Sequence, residues 1–211
     1  MVTVTETSPM DMSKLPNLLT LARVILIPVI VVSFYVPWKI TNLVVAALFM
    51  LASITDYFDG YFARLYKVQT RFGRCFDPIA DKLVTTVSLF MIVSFNDSIF
   101  ILIPSIIIVC REILVSGLRE FLGSLSVELP VTKLAKYKTA LQMVAITALL
   151  LASKNSSHTY ETLMNFFEVE PFLRIFFNGF IEGLGIIFLN IAALFTVITG
   201  YIYLKLGLKS I

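Results

Sequence analysis

Histidine occurs once, at position 158, and cysteine twice, at positions 75 and 110. A histidine-based zinc site therefore cannot be assembled, and two cysteines give neither a disulfide framework nor metal spacing. Both read as small apolar fillers. Charge is scarce as well: Asp, Glu, Lys and Arg make up 15% of the chain, well below the ~25% of soluble domains. A net charge of +3 is too small to argue for nucleic acid as a partner. The opening MVTVTETSPMDMSK has no basic region leading into an apolar core, so no cleavable signal peptide is expected. Residues 1–13 read as a disordered tail and 14–211 as one membrane domain, without long linkers, repeats or low-complexity stretches.

What is abundant is apolar sequence, 58% of 211 residues. At ~20 residues per crossing, this suits an all-α polytopic membrane protein of six transmembrane helices around a cytoplasm-facing polar cavity. The apolar runs place the spans near 15–37, 41–65, 78–95, 99–121, 134–152 and 179–204. The polar and aromatic stretch 153–178 reads as a connection whose second half is amphipathic and interfacial. Gly179, Gly183 and Gly185 permit close helix approach. With the N-terminus inside, every Lys and Arg except Lys39, Lys154 and Arg174 falls on one side, which the positive-inside bias makes cytoplasmic.

Against this background stand four aspartates in helix-spaced pairs, Asp56 with Asp59 (i, i+3) and Asp77 with Asp81 (i, i+4). Either spacing puts both carboxylates on one helix face. One such residue alone reads as a cap, and Asp77 before Pro78 has the form of an N-cap followed by proline at the first helical position. Four carboxylates abutting apolar runs are costly unless neutralised, and as hard oxygen donors they suit Mg²⁺, with Mn²⁺ the alternative. The stripe Asn17, Thr20 and Arg23 at the start of the first span reads by itself as an interfacial anchor, with Arg23 reaching to headgroups. Arg111 lies about 20 Å along its helix and needs a wet cavity or a counter-charge such as Glu112. Arg119, eight residues on, shares a broad face with it.

The pattern D-x2-D-G-x2-A-R-x8-G-x3-D-x3-D over residues 56–81 resembles the signature of the CDP-alcohol phosphatidyltransferase family at every fixed position. The resemblance implies displacement of CMP from a CDP-linked lipid by an alcohol, with two metal ions. It implies that Asp56, Asp59, Asp77 and Asp81 hold the metals, and that Asp81 is the general base. It also implies that Asp56, Asp59, Gly60, Arg64 and Gly73 contact CDP, and that Pro16, Asn17, Thr20 and Arg23 form a nearby wall. The segments CREILVSGLREF and KLAKYKTALQM resemble the branch of the family whose acceptor is sn-glycerol 3-phosphate, with Ala135 departing from an expected glycine. That branch implies CDP-diacylglycerol as donor and phosphatidylglycerol phosphate and CMP as products. Arg111, Arg119, Lys136 and Lys138 would then receive the acceptor phosphate. A homodimer in the lipid bilayer is the implied assembly. Inositol phosphate, phosphatidylglycerol or serine would use the same chemistry. An ion-coupled transporter is the reading from outside the class.

Overall fold

A computed structural model describes the backbone of residues 15–36, 41–65, 71–124, 133–152 and 171–209, with side chains at 18, 20–36, 41–55, 76–123, 134–152 and 179–207. Among these residues every regular element is helical. They are α1 (Leu15–Tyr35), α2 (Thr41–Leu65), α3 (Arg71–Ser94), α4 (Ile99–Ser124), α5 (Lys133–Ala152) and α6 (Pro171–Lys209). The expected N-terminal tail and most of the 153–178 connection lie outside the described residues.

The helices form one packed bundle. α6 lies along α5 and α4, α1 lies along α2 and α3, and α2–α5, α3–α4 and α3–α5 contacts join the two groups. Val45 and Phe49 of α2, Leu89 of α3, Ile108 of α4, Ile146 of α5 and Leu189 of α6 are wholly buried at the centre. The outer surface is equally apolar, with Ile25, Val32, Phe90, Phe100, Ile106 and Val197 exposed. An apolar exterior around an apolar core is the mark of a chain solvated by lipid. Three helical stretches, Ile99–Gly123, Leu134–Ala152 and Gly179–Gly207, are long and apolar enough to cross a membrane. The apolar parts of α1 and α2, Thr20–Tyr35 and Thr41–Thr55, are shorter.

Several helix hydroxyls are satisfied locally. The hydroxyls of Ser33, Ser53, Ser105, Thr147 and Thr196 each donate to the carbonyl four residues earlier at 2.6–2.9 Å. Pro104 has no N–H for the carbonyl of Phe100. Asn190 of α6 donates its side-chain amide to that carbonyl at 2.9 Å, so the proline's missing bond becomes a tie between α4 and α6. The α3–α4 turn closes with the Ser98 amide donating to Asn96 Oδ1 at 3.2 Å.

Four expectations change. Asp77 is not an N-cap: α3 starts at Arg71 and carries Pro78 within it, because the residue before proline is only disfavoured, not barred, from helical geometry. The last helix starts at Pro171, a favoured first position, and runs on without a break at Gly179. Of the three glycines, only Gly185 marks close approach, where a Cβ would meet Leu149 Cγ at 2.9 Å; Gly179 and Gly183 face open space. Cys110 is exposed on α4 rather than filling the core.

Candidate active site

α3, α4 and α5 bring charged residues together, with Thr199 and Tyr203 of α6 beside them. Asp77 and Asp81 stand one turn apart on α3, both partly buried. Thr20 of α1, almost wholly buried, donates its hydroxyl to Asp77 Oδ1. This fixes α1 as one wall beside the aspartates. Arg23, one turn further on, is 1% exposed. A guanidinium so deeply enclosed does not reach out as a headgroup anchor would.

Beside Asp81 opens a cavity of about 390 Å³, lined from α3 by Pro78, Ile79 and Lys82 and from α4 by Arg111, Glu112, Val115, Ser116, Arg119 and Glu120. The i, i+4 and i, i+8 spacing of Arg111, Val115 and Arg119 explains why both arginines face it. Lys82 Nζ donates to Ser116 Oγ at 2.6 Å, joining α3 to α4 across the cavity.

Glu112 organises the cations. Its Oε1 accepts from Arg111 Nη1 at 3.3 Å and from Lys138 Nζ of α5, and it lies within electrostatic reach of Lys82. Lys138 is 4% exposed and also feels the charge of Asp81. In an apolar setting each of these charges needs its partner, since desolvation rivals the Coulomb gain. The sequence alternatives for Arg111, counter-charge or cavity, are therefore both realised. Arg111 Nη2 also donates to Thr199 Oγ1 at 3.1 Å, and the guanidinium carbons of Arg111 and Arg119 lie 5.5 and 5.8 Å from the ring centre of Tyr203.

Arg111 and Arg119 thus line the cavity with the α3 turn that bears Asp81, and Lys138 reaches it through Glu112, while Lys136 is exposed on α5 and is not part of the lining. The side chains of Asn17, Asp56, Asp59 and Arg64 lie outside the described ones, and Gly60 and Gly73 are described only as backbone of α2 and α3. Among the described residues no three metal-capable side chains come together. Still, α2, which carries positions 56 and 59, packs against α3 with its Asp77 and Asp81, and a purely carboxylate donor set suits a hard divalent cation.

Reading the sequence singled out the acids and arginines but missed Lys82, Ser116, Thr199 and Tyr203. Lys82 follows Asp81 directly and was visible only as one more inside-facing cation. Tyr203 carried no signal of its own, because spacing along one helix does not show which residues a ring meets.

A family model described as CDP-alcohol phosphatidyltransferase matches residues 13–198. The chain belongs to that family. Within the CDP-alcohol phosphatidyltransferases, three bacterial relatives carry the name CDP-diacylglycerol–glycerol-3-phosphate 3-phosphatidyltransferase. That of Rickettsia felis is 46% identical over 192 residues, covering 91% of this chain and 94% of its own. That of Cereibacter sphaeroides is 37% identical over 213 residues, covering 92% and 96%. That of Haemophilus influenzae is 35% identical over 200 residues, covering 94% and 95%. Family membership makes this chain a transferase, and its apolar helices mark it as a membrane protein.

Proposed function

We propose that this membrane transferase moves the phosphatidyl group of CDP-diacylglycerol to sn-glycerol 3-phosphate, giving phosphatidylglycerol phosphate and CMP. The observation that carries the reading is the cavity in which Arg111 and Arg119 stand beside the α3 turn bearing Asp81. A dianionic acceptor phosphate needs paired cations, and guanidinium groups bind phosphate oxygens in a fork. The nucleophile then arrives next to a carboxylate.

In the proposed step a hydroxyl oxygen of glycerol 3-phosphate attacks the phosphorus attached to diacylglycerol. The bond from that phosphorus to the CMP oxygen breaks, and CMP leaves with the bond's electron pair. Asp81 takes the hydroxyl proton. Thr20 holds Asp77 in place by hydrogen bonding. Lys138, neutralised by Glu112, supports the Asp81 carboxylate, and Arg111 and Arg119 orient the acceptor so that its hydroxyl lies in line. Lys136, exposed on α5, would serve as a further cation for the acceptor phosphate. Asp56, Asp59, Asp77 and Asp81 would hold two Mg²⁺ ions, which neutralise diphosphate charge when bound. Gly60, Arg64 and Gly73, with Asn17 and Thr20, would receive the CDP moiety.

The lipid tails have a natural place. An apolar cavity of about 540 Å³ between α2, α5 and α6 is lined by Met50, Ile54, Met143, Val144, Leu184 and Phe188, with Ile54 two residues before Asp56 along α2. All six helices are taken to cross the bilayer as one domain, residues 14–211, in a homodimer. The charged end then faces the cytoplasm, where Lys and Arg concentrate.

The test is CMP release by the detergent-purified protein with CDP-diacylglycerol and Mg²⁺, adding glycerol 3-phosphate, inositol phosphate, serine or phosphatidylglycerol in turn. Release with glycerol 3-phosphate alone supports the reading. Release only with another acceptor overturns the acceptor, and no release by folded protein overturns the chemistry. Asp81→Asn should abolish turnover and spare binding of CDP-diacylglycerol. Lost binding would make Asp81 a metal ligand only.

A further inference from the structure

Arg111 and Arg119 come from two turns of α4, yet both guanidinium carbons lie within 6 Å of one point, the ring centre of Tyr203, at 5.5 and 5.8 Å. Tyr203 is 1% exposed, so its ring is a fixed object and not a mobile surface aromatic. A buried ring attracts a cation above its face, more strongly once water is excluded. It also offsets the repulsion between two guanidiniums directed into one small cavity. One turn before it, Thr199 accepts from Arg111 Nη2 at 3.1 Å. Between them, Gly200 leaves room for the arginine's stem: a Cβ there would meet Arg111 Cγ at 3.1 Å. At Gly207 a Cβ would meet Leu118 Cδ1 at 2.9 Å, so the same face of α6 lies close against α4. Thr199, Gly200 and Tyr203 thus form a template on α6, a helix that contributes none of the cavity lining.

We infer that Tyr203 is a positioning residue for the acceptor anion: it holds Arg111 and Arg119 at the separation and orientation that receive a phosphate group, without touching the substrate itself. The inference rests on the acceptor pocket proposed above. It adds a specificity device to that pocket, because the spacing of the two arginines is set from α6 and not within α4. A long arginine side chain has many rotamers, and a ring that restricts both lowers the entropy cost of closing on phosphate.

The experiment uses the full chain in detergent. It measures binding of inorganic phosphate by calorimetry, and the KM for glycerol 3-phosphate and for CDP-diacylglycerol. Tyr203→Leu removes the ring and keeps an apolar side chain, while Tyr203→Phe keeps the ring. Tyr203→Leu should weaken phosphate binding and raise the glycerol 3-phosphate KM about tenfold, leaving the CDP-diacylglycerol KM unchanged. Tyr203→Phe should restore both to within about threefold on the same basis. Gly200→Ala guards against a folding failure of Tyr203→Leu. Alanine favours the helix over glycine, so stability should hold or rise, while the displaced Arg111 stem raises the acceptor KM alone. The inference is overturned if folded Tyr203→Leu binds phosphate as the unaltered protein does, if both KM values rise together, or if Gly200→Ala leaves the acceptor KM unmoved. If the unaltered protein uses another phosphate-bearing acceptor, the proposed acceptor falls. The loss of phosphate binding in Tyr203→Leu then still decides the role of Tyr203.

Discussion

Glu112→Gln is the perturbation whose outcome the structure defines most sharply. Glu112 accepts from both Lys138 and Arg111 inside the helix bundle, and Lys138 is only 4% exposed. The substitution removes a full charge and keeps the shape. Arg111 retains Thr199 and the Tyr203 ring. Lys138 keeps only the more distant field of Asp81. Breaking a buried pair from one side costs about 3–5 kcal/mol, and the retained amide oxygen puts this case at the lower end, about 3. For a chain of this size each kcal/mol moves the melting midpoint by about 2–4 °C, so a drop of about 6–12 °C is expected. Lys138→Met should cost less, because Glu112 still has Arg111. Glu112→Gln combined with Lys138→Met should melt well above Glu112→Gln alone, since the stranded ammonium is gone. The assay is thermal unfolding of the four proteins in one detergent, read as a double-mutant cycle. A Glu112→Gln midpoint within about 2 °C of the unaltered protein, below the effect of 1 kcal/mol, would refute the argument. So would a double variant no more stable than the sum of the singles.

Arg119→Ala should raise the glycerol 3-phosphate KM about tenfold and leave that of CDP-diacylglycerol unchanged, with Lys136→Ala giving the smaller effect of the two. Equal effects would move the acceptor site toward α5. Thr20→Val removes the hydroxyl donor to Asp77 and should raise the Mg²⁺ concentration needed for activity roughly tenfold to a hundredfold, on the order of one charge-assisted hydrogen bond; an unchanged Mg²⁺ titration would make that bond merely structural. Asn190→Leu should destabilise the fold by about 1–2 kcal/mol, and much less in a Pro104→Ala background, where the Phe100 carbonyl regains its helical partner. Similar losses in both backgrounds would break the proposed link. Chelation by EDTA should stop CMP release and added Mg²⁺ should restore it, whereas full activity in EDTA would remove divalent metal from the proposed mechanism.

Most of the helices were legible because their causes are local. Runs of apolar residues bounded by turn residues placed α2 at 41–65 and α5 within a residue of its observed start. The boundaries that shifted, at Arg71 and Pro171, lie where a proline invited a break or a start, and local rules there weigh two nearly equal options. The Asp77–Asp81 pair and the Arg111–Arg119 pair were readable for the same reason: i, i+4 and i, i+8 spacings fix a helix face without tertiary information.

The linear chain by itself determined that this protein is helical and apolar, that acids and arginines cluster on helix faces, and which family it joins. These properties depend on residue type and spacing along one helix. Tertiary structure alone decided who meets whom. Lys138 turns to Glu112, Lys82 reaches Ser116, Thr20 reaches Asp77, and Tyr203 meets two arginines. Each of these contacts joins residues at least 26 positions apart, from Glu112 and Lys138 to Arg111 and Tyr203. Their partners are chosen by how helices pack and rotate against one another, a property that no spacing within a single helix encodes.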